Sequence, residues 1–206
     1  MLELPAYLVL GIGTEIGKTF LTCALCKRTP RIKAIKPVLS GFVNDNKSDS
    51  SLLLQAMNLE VNFLNLESIS PWRFEKPISP NFAGYVDYQK LLEFCKNKIN
   101  LSIKSQNVLL IEGAGGIMSP INNHKTFIDI AHDLDLPIIL VTSNYLGSIS
   151  HTLCALELIK SKKLKLTKII LNNNYNPPIS GAEFINCIQN FYNFEIQEIE
   201  DFIKNS

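Results

Sequence analysis

Short apolar runs alternate with amphipathic segments from one end of the chain to the other. Tyr7-Leu8-Val9-Leu10, Ile32-Lys33-Ala34-Ile35, Val108-Leu109-Leu110-Ile111, Pro137-Ile138-Ile139-Leu140-Val141 and Lys168-Ile169-Ile170-Leu171 read as strands. A run that is apolar at consecutive positions suits a strand buried on both faces, as in a parallel sheet covered by helices. Between these runs, apolar residues three and four apart predict helices. One carries Phe20, Leu21, Ala24 and Leu25; one begins near Leu52; one spans about Asp87 to Ile99 with Leu91, Leu92, Phe94 and Cys95 inward; one starts near Ser148; and a last one covers about Ser180 to Phe191. A short strand near Glu195 to Ile199 and a terminal turn follow. Asn44 to Ser51 is a polar loop, and Pro71 to Pro80 a proline-rich loop holding the only tryptophan, Trp72. Alternation of this kind implies right-handed crossovers and an α/β fold: one domain over residues 1–206, a mainly parallel sheet with helices on both faces.

The chemistry collects where strands end. After the first strand comes Gly11-Ile12-Gly13-Thr14-Glu15-Ile16-Gly17-Lys18-Thr19, followed by a helix. Glycines let backbone N–H groups face an anion, the lysine reaches the β- and γ-phosphates, the threonine hydroxyl suits Mg²⁺, and the helix N-terminus favours negative charge. The first glycine is one residue early for the usual G-x4-G-K-[ST] spacing, so this is a variant phosphate loop. A dinucleotide fingerprint fails, because Ile16 stands at its last glycine.

The second strand delivers Lys36-Pro37-Val38-Leu39-Ser40-Gly41 to the sheet end where ligands bind, and Pro37 keeps Lys36 extended. A lysine beside a strand is also at home in solvent. Asp49, just before the helix near Leu52, suits an N-cap. The strand ending in Glu112-Gly113-Ala114-Gly115-Gly116 offers a carboxylate opposite the threonine hydroxyl, as phosphate-loop proteins use to hold Mg²⁺. Asn172-Asn173-Asn174 supply amides that either read a base edge or make turns. The helix start after Tyr145-Leu146-Gly147 presents free N–H groups to a carboxylate or phosphate, and His151 caps or packs there. Asp129, His132 and Asp133 form a solvated face opposite Ile128, Ile130, Ala131 and Leu134 rather than a metal triad.

Composition narrows the classes. The formal net charge of +1 gives no electrostatic case for nucleic acid or an anionic membrane, and 46% hydrophobic residues describe a globular chain. The five cysteines are odd in number, and Cys23 and Cys26, three apart in a helical pattern, read as small buried hydrophobes without a second metal-binding pair. With no basic-then-apolar leader and no long apolar run, a cytoplasmic location is expected.

Taken together, these motifs resemble those of dethiobiotin synthetase. The resemblance covers Gly11-x-x-Thr14-Glu15-x-Gly17-Lys18-Thr19, Lys36-Pro37-Val38-x-Ser40-Gly41, Pro77-Ile78-Ser79-Pro80, Glu112-Gly113-Ala114-Gly115-Gly116 and Leu146-Gly147, in one order along nearly the whole chain. It implies an ATP- and Mg²⁺-dependent carboxylation of 7,8-diaminononanoate by CO₂ with closure of a ureido ring. It implies catalytic roles for Lys18, Lys36, Thr14, Glu15 and Ser40; nucleotide contacts from Gly13 through Phe20 and from Asn172 and Asn173; and Mg²⁺ ligation by Thr19, Asp49 and Glu112. Substrate contacts fall to Ser40, Gly115, Gly116, Ser79 and Pro80, and, from the second subunit of a homodimer, to Leu146, Gly147, Ser148 and Ser150.

The chain departs from the family pattern at Gly13, where aspartate is usual, at Asn81, where histidine is common, and at Ser150, where asparagine is common. Phe194-Glu195-Ile196-Gln197-Glu198-Ile199 lacks the proline of a Gly-Glu-Ile-Pro-type segment that closes over adenine, so weak base discrimination, with GTP or CTP partly replacing ATP, is expected. Related amide-forming ligases carry a glutaminase domain that these 206 residues do not include. Partitioning ATPases place a lysine where Gly13 stands, and a silent nucleotide-binding module has no need of Lys18, Lys36, Asp49 and Glu112 together.

Overall fold

A computed structural model describes residues 2–43, 46–174 and 176–205. Six parallel strands form the main sheet in the order β2-β5-β1-β6-β7-β8. They are β1 (Ala6–Gly11), β2 (Ile32–Ile35), β5 (Val108–Glu112), β6 (Ile138–Ser143), β7 (Leu166–Asn172) and β8 (Ile196–Glu198). β1 sits in the middle, with Leu8 opposite Ile111 on one side and Ile138 on the other. Every residue of β1, β5 and β6 is buried, which is why their sequences show apolar runs rather than alternation.

The chain moves to one side of β1 for β2 and β5 and to the other for β6, β7 and β8. The C-terminal end of β1 is therefore a topological switch point, where such sheets open a crevice. Right-handed crossovers in opposite directions put α1 (Lys18–Arg28) and α7 (Ser148–Ser161) on opposite faces. On the α1 face lie α2 (Asp49–Ala56) and α9 (Ile199–Lys204); α8 (Gly181–Gln189) packs beside α7. The remaining helices are α3 (Phe63–Ile69), α4 (Pro80–Ala83), α5 (Tyr88–Lys104) and α6 (Phe127–Asp133). Caps fix several starts: the Ser180 hydroxyl accepts from Glu183 N–H while Glu183 accepts from Ser180, and Thr126 with Asp129 closes the same kind of box.

Three expectations need correction. The proline-rich stretch is not all loop: Trp72–Phe74 forms β4, which pairs in parallel with β3 (Val38–Ser40) as a two-stranded ribbon beside the main sheet. The pairing partner is distant in sequence, so no local pattern announces it. The last segment is a helix, α9, rather than a turn, because Ile199 and Phe202 bury one side of it. Asp49 opens α2 rather than capping it; Ser48 is the N-cap. The polar loop expected from Asn44 begins at Asn44 and Asp45, which lie outside the described residues.

Candidate nucleotide and metal site

Between β1 and α1 the chain turns over the C-terminal end of the sheet. Gly11 has a packing reason for its early place: a Cβ there would lie 2.4 Å from Ile16 Cδ1, the tip of a side chain folded back into the core. Glu15 (φ 56°) and Gly17 (φ 102°) both adopt left-handed backbone, and Gly17 caps α1. A non-glycine residue held at positive φ in a ligand loop is backbone strain of the kind that clusters at binding sites.

Lys18 is 5% exposed, and its ammonium donates to Gly13 O and Gly115 O, each at 2.7 Å. Burial is the largest influence on it and brings its pKa down to about 8, against the opposing pull of Glu112. Glu112, fully buried at the end of β5, accepts at Oε1 from Thr19 Oγ1 at 2.6 Å and from Lys36 Nζ at 2.8 Å. Lys36, at the end of β2, also donates to Asp49 Oδ2. Burial acts to lower the Lys36 pKa, but Glu112 and Asp49 together outweigh it and hold the ammonium above the ordinary lysine value. Strand ends of β1, β2 and β5 and the start of α2 thus bring two cations, two carboxylates and a hydroxyl into one cluster.

Glu112 Oε2 is buried with no partner among the described residues. A spare buried carboxylate oxygen, the Asp49 carboxylate and the Thr19 hydroxyl make a hard-oxygen donor set of the kind Mg²⁺ takes, with phosphates and water completing it. Among the described residues no group of three or more His, Cys, Asp or Glu side chains converges. A cleft of about 730 Å³ opens onto the cluster, lined by Thr14, Glu15, Gly17, Lys18, Thr19 and Phe20, by Lys36, Ser40 and Asp49, and by Ser79, Pro80 and Gly115. Ser40 Oγ is buried and carries no hydrogen bond among the described residues. Ser79 Oγ donates to Asn81 Oδ1 at 2.7 Å.

Other expected site residues lie apart. Gly116 borders a second cavity of about 490 Å³, together with Ile12 and His151. Leu146 (88% exposed), Gly147, Ser148 and Ser150 surround the start of α7 and line neither cavity. Ser148 is buried with its hydroxyl unbonded among the described residues, whereas Ser150 in the same first turn is exposed, so backbone N–H groups and the Ser150 side chain are what this helix start presents outward. Asn172 Nδ2 donates to Ile16 O at 3.1 Å, against the phosphate loop, whereas the Asn173 amide is engaged at both ends, by Asn144 and by Glu198.

The polar residues of α6 make surface bonds: Asp133 accepts from Tyr88, Lys125 and His132. His151 Nδ1 meets the Tyr145 hydroxyl at 2.8 Å. Cys23 and Cys26 have their pKa pushed up to about 12, first by burial, which fits inert packing. Leu39, Gly41, Pro77, Ile78, Ala114 and Ser119 also line the cleft without having been assigned a role. All but Ser119 fall within the motif stretches already quoted; Ser119 follows Met118 in an irregular stretch and gives no pattern to find.

Comparison with known proteins sets this geometry in a family. A family model described as an AAA domain matches residues 5–204. The chain is 38% identical over 180 residues to an ATP-dependent dethiobiotin synthetase of Phenylobacterium zucineum (strain HLK1), covering 83% of this chain and 77% of that protein. It is 35% identical over 194 residues to the protein of the same name from Methylobacterium nodulans, covering 86% of each. Among solved structures it is similar to a ParA family ATPase from Chlorobium tepidum TLS (TM-score 0.50, 14% identity, 98% of this chain and 89% of that one). It is also similar to a chain of the MinC:MinD cell division protein complex from Aquifex aeolicus (TM-score 0.53, 15% identity, 94% and 79%). Those two likenesses concern the fold alone. Identity of 35–38% across 83–86% of the chain goes further, and the chain belongs to the dethiobiotin synthetase family.

Proposed function

We propose that the protein catalyses the ATP- and Mg²⁺-dependent conversion of 7,8-diaminononanoate and CO₂ to dethiobiotin, a step of biotin formation. In the proposed chemistry CO₂ adds to one amine to give a carbamate. The γ-phosphoryl of ATP passes to a carbamate oxygen, forming a carbamic-phosphoric anhydride, and the second amine attacks its carbonyl carbon, expelling phosphate and closing the ureido ring. Phosphoryl transfer asks the protein for position and charge neutralisation more than for covalent help.

The observation that carries the reading is the convergence of Lys18 and Lys36 on one cleft, with Glu112 bonded to both Lys36 and Thr19. Lys18 and the amides of residues 13–20 hold the triphosphate. Lys36 faces the carbamate and the transferring phosphoryl, with Thr14, Glu15 and Ser40 beside them. Thr19, Asp49 and Glu112 hold Mg²⁺, which neutralises charge on the phosphate oxygens. Gly115, Gly116, Ser79 and Pro80 shape the diamine end, and the first turn of α7, with Leu146, Gly147, Ser148 and Ser150, binds the substrate carboxylate across a homodimer interface. The exposure of Leu146 supports that last assignment.

Base discrimination is weak in this reading, with GTP or CTP able to replace ATP in part. Its support is that the Asn173 amide is engaged by Asn144 and Glu198 and one N–H of the Asn172 amide by Ile16 O, which leaves fewer groups to read a base edge.

The test is phosphate release from MgATP and bicarbonate with and without 7,8-diaminononanoate, with dethiobiotin followed by mass spectrometry. Product in step with phosphate is expected; hydrolysis indifferent to the diamine would overturn the reading. A nucleotide comparison showing a steep preference for ATP would remove the base proposal, and a fully active monomer in sedimentation would remove the interface proposal.

A further inference from the structure

Asn144, at the exit of β6, is completely buried and fully bonded. Its Nδ2 donates to Asn173 Oδ1 and to Ile179 O, each at 3.0 Å, and its Oδ1 accepts from Asn174 N at 2.7 Å. Two oxygens face the amide nitrogen and one N–H faces the amide oxygen, so the network fixes the orientation of the side chain. A buried amide with every bond to one neighbouring segment is a staple: it holds the residues after β7 against the end of β6. That same segment touches the phosphate loop. Asn172 donates to Ile16 O, and it packs so closely that a Cβ on Gly17 would lie 2.4 Å from Asn172 Nδ2.

We infer that Asn144 is a positioning residue of the nucleotide site, setting the wall formed by Asn172 to Asn174 at the nucleoside end of the bound triphosphate. It touches no ligand itself; it acts by keeping that wall in register with the phosphate loop. The inference rests on the reading above that Asn172 and Asn173 lie at the base end. A wall of this kind gains affinity from the nucleoside and nothing from the polyphosphate, which the phosphate loop, Lys36 and the Mg²⁺-binding residues hold.

The test compares binding of MgATP and of magnesium tripolyphosphate by calorimetry in the full chain and in Asn144→Ala. In the unsubstituted protein MgATP binds more tightly than tripolyphosphate. In Asn144→Ala that advantage shrinks by about tenfold, the value of one or two lost hydrogen bonds, with tripolyphosphate affinity unchanged. An advantage kept at full size overturns the inference, and so does an equal loss for both ligands, which is what general damage to the fold produces. Equal binding of the two ligands by the unsubstituted protein instead overturns the base-end reading itself. Should Asn144→Ala fail to fold, Asn144→Ser, whose hydroxyl spans neither acceptor, takes its place with the same expected result.

Discussion

Lys36 Nζ lies 2.8 Å from Glu112 Oε1, and both groups are withdrawn from solvent: Lys36 is 4% exposed and Glu112 not at all. An ion pair so placed is strongly asymmetric in its consequences, since keeping it is close to neutral while removing one member strands the other. The pair also shares its carboxylate oxygen with Thr19 Oγ1, which ties the end of β2 to the start of α1 through the end of β5.

Replacing Lys36 by alanine should therefore act twice. Ring closure falls by about a hundredfold or more, because the transferring phosphoryl loses a positioned cation. Stability falls by about 3 kcal/mol, because Glu112 is left buried and unpaired, and added Mg²⁺ restores part of it by replacing the missing positive charge. Nucleotide binding stays largely intact through Lys18. Steady-state turnover, thermal unfolding with and without Mg²⁺, and nucleotide titration check the three parts; near-normal turnover would refute the role.

Gly17 and Gly147 share a backbone conformation but not surroundings. Both sit at φ near 100° at a helix start; a Cβ on Gly17 meets Asn172 at 2.4 Å, whereas among the described residues beyond its chain neighbours nothing lies within 4 Å of one on Gly147. Gly147→Ala should cost about 1–2 kcal/mol of stability from conformation alone. Gly17→Ala should cost more, and it should weaken nucleotide binding as well, since Asn172 or the loop must move. Chemical denaturation and nucleotide titration of the two variants separate these effects.

Cys26 and Cys95 are buried, and burial pushes each thiol up to about 12, so neither forms appreciable thiolate near neutrality. In the native protein at pH 8 both should resist an aromatic disulfide reagent and react at once after denaturation in urea. Replacing Cys23 and Cys26 together by serine should leave turnover within about twofold. Rapid native labelling of Cys26 would show that α1 opens.

Asp133 provides a pH test away from the cleft. Burial acts to raise its pKa, but hydrogen bonds from His132, Lys125 and Tyr88 outweigh that and bring it down to about 2. A carboxyl lowered in the folded state adds stability above its unfolded pKa, and that stability is lost as pH falls through the folded value. Asp133→Asn should therefore cost about 1 kcal/mol near neutrality after solvent screening. The difference from the unsubstituted protein should narrow from about pH 4 downward and vanish near pH 2. Urea unfolding at a series of pH values measures it.

What the sequence determined by itself is whatever depends on local pattern. Unbroken apolar runs such as Ile138 to Val141 mark strands covered on both faces, and the run from Gly11 to Thr19 marks an anion loop, because the turn, the lysine and the helix start are neighbours in the chain. Tertiary structure decided what depends on distant partners. Trp72–Phe74 is a strand because Val38–Ser40 lies alongside it, and α9 is a helix because the core receives Ile199 and Phe202. Asp49 faces Lys36 rather than its own helix start because β2 brings the ammonium there. Asn144 gave no sign in the sequence, since a buried asparagine is defined by its partners, and those lie about thirty residues further on. Periodicity records how each segment meets solvent; which segments meet one another follows from how the sheet orders its strands.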